Sequence, residues 1–89
     1  MLEKYEQALE QWIGEIVAGG DDDALFASGY LQGHFAVVLA ELENESEQGL
    51  DALNERMQQC LKLAAKELED DDYRLVDNAW SELKQRIAA

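Results

Sequence analysis

The chain has 89 residues, 20 of them acidic and 7 basic, and this length corresponds to one small domain, residues 1–89. The net charge of −13 argues against binding to nucleic-acid phosphates, and a single cysteine excludes an internal disulfide. The 47% share of hydrophobic residues argues against disorder, and the acidic opening of the chain leads us to expect no secretion signal.

The first half of the chain predicts two helices. Apolar residues three and four positions apart predict a helix over residues 2–18, and Gly19 and Gly20 provide its end. Asp21–Asp23 can cap a second helix, which we expect over residues 24–43. Proline is absent, so no residue forces a kink in either helix.

The second half predicts two more helices. After the turn residues Asn44 and Ser46, which can cap it, an apolar stripe over residues 50–68 indicates a third helix. The next stripe, over residues 73–87, would lie about 120° around a continuous helix from the first, so we place a turn near residues 69–72. Four helices with short connections predict an all-α fold, a small up-down (antiparallel) four-helix bundle.

The second predicted helix carries a strip of small residues beside its core face. The core face has the large apolar side chains Leu31, Phe35, Val38, Leu39 and Leu42. The strip has Gly29, Gly33, Ala36 and Ala40. Because each glycine in a helix costs about 1 kcal/mol relative to alanine, we interpret it as a helix-packing strip against Trp12 or Trp80. A ligand-binding groove is the alternative.

The same helix contains the longest uncharged segment of the chain, residues 24–40. Its length is at the lower limit for a membrane-spanning helix. Gln32 and His34 lie within it and acidic residues flank it on both sides, so we expect a buried helix and no membrane segment.

The segment Asp22–His34, with the sequence DDALFASGYLQGH, resembles the signature of the YfcL family of small gammaproteobacterial proteins. The length of the chain, its acidic first half and the segment Ala40–Glu43 are similar to that family as well. The resemblance is strongest over residues 22–43. It implies a bacterial protein of the cytoplasm, and it brings no catalytic positions with it.

One face of the second helix carries Tyr30, His34 and Glu41, which are one and two helical turns apart. They form a candidate polar site for a small molecule or for catalysis. We favour a histidine at the edge of the core, because a lone histidine lacks the second base or nucleophile that catalysis needs. The sequence shows no metal-ligand spacing and no cofactor motif, so we expect no enzyme, no metal and no cofactor.

Charge is distributed unevenly along the chain. Residues 5–55 contain no lysine or arginine; residues 1–49 carry a net charge of −10 and residues 50–89 a net charge of −3. An acidic surface commonly maintains solubility, and it can also attract a basic partner. We expect a cytoplasmic, non-enzymatic interaction protein that binds a basic partner protein, without direct contact to nucleic acid or membrane.

Phe26, Val37 and Leu75 are apolar residues that lie outside the main stripes of their helices. A bundle of this size has little core in which to bury them. The sequence therefore suggests a candidate interface, a two-fold homodimer that uses at least one of the three.

Overall fold

The computed structural model describes residues 2–89. Its elements are the helices α1 (Leu2–Gly19), α2 (Asp22–Leu42), α3 (Leu50–Glu67) and α4 (Asp70–Ala88). The described residues contain no strand, and the prediction of an all-α bundle of four helices is confirmed. Only two residues, Leu68 and Glu69, separate α3 from α4, close to the predicted turn.

The connection between α1 and α2 follows the predicted chemistry. Gly20 has a φ of 71°, a left-handed conformation that glycine adopts without a Cβ clash, and its N–H donates to the Ile16 carbonyl at 3.1 Å. The Asp21 side chain accepts a hydrogen bond from the Ala24 N–H at 3.1 Å. This bond satisfies one of the amides that the first turn of α2 leaves open.

α3 begins at Leu50, where the apolar stripe begins, but its N-cap differs from the prediction. Residues 43–49 connect α2 to α3, and the residue before α3 is Gly49, whose lack of a side chain leaves the cap without a side-chain hydrogen bond. Asn44 and Ser46 therefore do not cap the helix. Both lie in the connection, at least three residues before Gly49.

Gln48 holds this connection in place. Its side-chain amide donates to the carbonyls of Leu42 at 2.9 Å and Glu45 at 3.2 Å. Its own carbonyl accepts a hydrogen bond from the Tyr5 hydroxyl of α1 at 2.8 Å. One side chain thus satisfies carbonyls at the end of α2, and the connection is tied to the first turns of α1.

The four helices form a flattened arrangement. α2 and α4 pack directly against each other, α1 and α3 contact both of them from opposite sides, and within the described residues no Cα atom of α1 lies within 8 Å of one in α3. The overall dimensions are 36 × 30 × 19 Å. α2 and α3 run antiparallel, because Tyr30 lies opposite Glu67 while Glu41 lies opposite Arg56.

The core lies where α2 meets α4. The rings of Phe35 and Trp80 have centroids 6.4 Å apart, and both side chains are at most 1% exposed. The Trp80 Nε1–H donates to Asn54 Oδ1 of α3 at 3.1 Å. The largest fully buried side chains are Trp12, Trp80, Phe35, Leu31, Leu42, Leu53, Met57, Leu83, Val38 and Val76. The predicted core face of α2 is buried throughout.

The small-residue strip of α2 faces solvent, so our prediction that it packs against another helix is wrong. Gly29, Gly33, Ala36 and Ala40 are all exposed, and a Cβ added at either glycine would meet no heavy atom within 4 Å. The two tryptophans lie in the core instead. Because α3 covers the side of α2 that carries the polar residues, the small residues are left on the outside.

Because Gly33 is exposed, a larger residue at this position should stabilise the protein, whereas a packed strip would have made it destabilising. We expect Gly33→Ala to raise the free energy of unfolding by about 0.5–1 kcal/mol, since alanine is the better helix former and the space is open. Gly20→Ala should lower it by about 1 kcal/mol, because Gly20 has a positive φ. Urea unfolding followed by circular dichroism measures both, and a destabilised Gly33→Ala would show that the strip is packed.

Candidate functional site

Tyr30 and His34 lie together at the seam between α2 and α3. Their ring centroids are 4.8 Å apart at 45°, and the Phe26 ring stands 6.4 Å beyond Tyr30. The Tyr30 hydroxyl donates to Glu67 Oε2 of α3 at 3.4 Å. The three rings follow one another at four-residue spacing, which places them on one face of the helix.

Glu41 is directed away from this pair. Its Oε2 lies 3.3 Å from Arg56 Nη1, and Glu45 Oε1 lies 2.8 Å from Arg56 Nη2. Within the described residues no hydrogen bond or ion pair joins Glu41 to His34. The structure therefore brings together Tyr30 and His34 of the predicted polar site, while the third member pairs with α3.

Two ionisable groups in this seam are held in their neutral forms. Burial, and secondarily the charge of Glu41, raises the pKa of the Cys60 thiol. Burial, followed by the charge of Glu67 and the hydrogen bond to it, raises the pKa of the Tyr30 hydroxyl. Since the thiolate is the reactive form of cysteine, the seam disfavours nucleophilic chemistry at Cys60.

A groove lies between α1 and α2, and Ala36 and Ala40 of the small-residue strip line it, although the sequence offered a groove at this strip only as the alternative to helix packing. It has a volume of about 270 Å³ and an apolar floor that includes Phe35, Leu39 and the small residues Ala36 and Ala40. Three carboxylates border this groove, namely Glu6 and Glu10 of α1 and Glu43, which directly follows α2. None of them forms an ion pair within residues 2–89. The spacing of Glu6 and Glu10 by one turn was the available signal, but it does not show which helix lies opposite.

The outer face of α2 adjoins this groove and is apolar. Leu25, Phe26 and Val37 are 38%, 41% and 59% exposed, with the exposed small residues between them. Of the predicted interface residues, Phe26 and Val37 therefore lie on the surface. Leu75 is partly buried and packs against the core, so it has little surface to offer a partner.

Further depressions lie at other seams of the bundle. One of about 460 Å³ is bordered by Glu45, Glu47, Glu55 and Arg56 at the start of α3, and the lining residues do not include Tyr30 or His34. In the described part of the chain, no three His, Cys, Asp or Glu side chains are placed to hold a metal ion. Across residues 2–89, each helix falls short of the combination of length and apolarity that a membrane span requires.

The raised pKa of Cys60 predicts slow alkylation. At about pH 8 iodoacetamide should react with Cys60 more slowly than with an unstructured thiol, whose pKa is about 8.5. Glu41→Gln should speed the reaction by removing negative charge near the thiol, whereas Glu55→Gln should leave it unchanged. Mass spectrometry of the folded variants over time measures the rates, and equal rates in the two variants would contradict the role of Glu41.

Comparison with known proteins places these features in a family. The sequence model described as "YfcL protein" matches residues 3–85. A protein of Escherichia coli (strain K12) named "Uncharacterized protein YfcL" is 36% identical over 90 residues, which cover 99% of this chain and 98% of the relative. No solved structure shows significant similarity to the chain. The chain belongs to the YfcL family.

Proposed function

We propose that this chain is a non-enzymatic interaction module that binds a basic surface of a partner protein through the acidic face formed by α1 and α2. The observation that carries the proposal is the groove between these helices, in which Glu6, Glu10 and Glu43 surround an apolar floor. Carboxylates around apolar surface are complementary to lysine or arginine side chains, whose apolar stems lie on such a floor while their charged ends reach the rim.

The charge distribution supports the same partner chemistry. The ion pairs found in residues 2–89 involve Arg56 with two glutamates of the α2 end and Arg86 with Glu15. Most of the 20 acidic residues therefore have no ion-pair partner within residues 2–89. Their summed field extends about 8 Å into solution at physiological salt, so a basic surface would be attracted before contact.

The alternative function, a small-molecule or catalytic site around Tyr30, His34 and Glu41, has less support. Glu41 is held by Arg56 of α3, and the hydroxyl of Tyr30 is directed to Glu67. Within residues 2–89, His34 therefore keeps an aromatic neighbour, and no hydrogen bond or ion pair joins it to a carboxylate that would orient it for acid–base chemistry.

Two triple variants with the same change in net charge test the proposal. Glu6, Glu10 and Glu43 are replaced by glutamine in the first, and Glu55, Glu69 and Glu82 in the second. All six are exposed and none forms an ion pair in the described structure, so both variants should fold. Glu41 and Glu45 are retained because they hold Arg56.

We expect the first variant to lose the basic proteins that the parent chain captures from an extract of its own cells, and the second to retain them. For a captured protein, the association rate of the parent should fall at least about tenfold between about 0.01 and 0.15 M salt. Surface plasmon resonance measures that rate. Equal binding by both variants, or an association rate that ignores salt, would show that the acidic face only maintains solubility.

A further inference from the structure

We infer that the partner contributes an amphipathic helix with basic flanks, which lies along the outer face of α2 and places a lysine or arginine side chain in the α1–α2 groove. This inference rests on the proposed function and adds the contact surface and the shape of what binds there.

The outer face of α2 is the first reason, because it is apolar without being covered. Residues 24–40 contain no Asp, Glu, Lys or Arg, although every other helix carries charge along its exposed side. Leu25 and Phe26 stand exposed at one end and Val37 at the other. Over 17 residues the face is about 25 Å long, which matches a partner helix of four to five turns.

The shape of the face also suits a helix. Between the larger side chains the surface is lowered by Gly29, Gly33 and Ala36, and a Cβ at either glycine would meet open space. A partner backbone can therefore approach α2 closely, with Phe26 and Val37 as ridges beside it. This accounts for glycines in the middle of an exposed helix, where alanine would be more stable by about 1 kcal/mol at each position.

The charges around the outer face of α2 indicate which kind of partner can bind there. Asp21–Asp23 lie at one end and Glu43 at the other, where Glu41 and Glu45 are paired with Arg56, and Glu6 and Glu10 lie along the α1 side. Tyr30 and His34 lie on the α3 side. Three of the four borders are thus acidic.

A second copy of the chain is a poor occupant of such a face. Acidic residues lie at both ends of α2, so a parallel or an antiparallel pair of α2 helices would bring carboxylates against carboxylates. A helix with basic residues at its flanks gains attraction at the same places. Its apolar residues would cover Leu25, Phe26 and Val37, and its lysine or arginine would reach the rim of the groove.

The probe for the test is a synthetic, fluorescein-labelled peptide of about 18 residues, a length that spans the face. It carries leucine and alanine on one helical face and lysine elsewhere, and a scrambled peptide of the same composition has no such face. Ala36→Arg places bulk and positive charge on the outer face of α2, whereas Ala65→Arg makes the same change on an exposed position of α3. Circular dichroism confirms that both variants are folded.

We expect fluorescence anisotropy to show that the amphipathic peptide binds the parent chain at least about tenfold more tightly than the scrambled peptide does. Ala36→Arg should weaken that binding at least about tenfold, and Ala65→Arg by less than about threefold. Equal weakening by the two variants, with salt-sensitive binding retained, would overturn the α2 site while leaving an acidic interaction surface in place.

Two other outcomes overturn the inference. Absence of peptide binding at low salt would contradict both the helix and the proposed affinity for basic surfaces. Sedimentation equilibrium that shows a dimer of the parent chain, dissociated by Ala36→Arg and not by Ala65→Arg, would identify a second copy as the occupant.

Discussion

The direct contact between α2 and α4 determines the arrangement of the other helices. With Phe35 against Trp80 at the centre, α1 and α3 are kept apart on opposite sides, and each packs into the angle between the two central helices. α2 is then contacted by three neighbours, and most of its large side chains, including Leu31, Phe35 and Leu39, are buried against them. What remains for solvent is the side of α2 that has small residues and a few apolar ones. The outer face of α2, which we assign to a partner, is therefore exposed because the opposite face of the same helix fills the core.

The periodicity of apolar residues predicted the number, type and most of the limits of the helices. The end of α1 at Gly20 and the cap at Asp21 follow from local chemistry that acts within one or two turns, which is why the sequence reveals them. The cap of α3 was assigned to Asn44 or Ser46 although Gly49 is the residue before the helix, and the bonds by which Gln48 closes the end of α2 were missed because no local pattern identifies them. These hydrogen bonds depend on the path that the backbone takes between α2 and α3, and the sequence pattern does not show that path.

The faces of α2 show the limit of this reasoning more clearly. Angles around a helix group Tyr30 with His34 correctly, because the two are four residues apart on the same chain. The same angles cannot tell which face meets a neighbour when a helix is apolar on more than one side. Glu41 pairs with Arg56, which belongs to a different helix, so the angles around α2 alone could not identify its partner. The acidic rim of the α1–α2 groove was not predicted for the same reason, since it combines residues from different elements.

The hydrogen bond from Tyr5 to the carbonyl of Gln48 joins residues that are 43 positions apart along the chain. It connects the first turns of α1 to the segment that carries the chain from α2 to α3, at the end of the bundle where Glu6 and Glu43 border the groove. Fraying of α1 at its start would break that bond and leave the connection held by the bonds of the Gln48 side chain to Leu42 and Glu45. The first turn of α1 thus supports the connection as well as the side of the groove that carries Glu6, so loss of its helical order would loosen both.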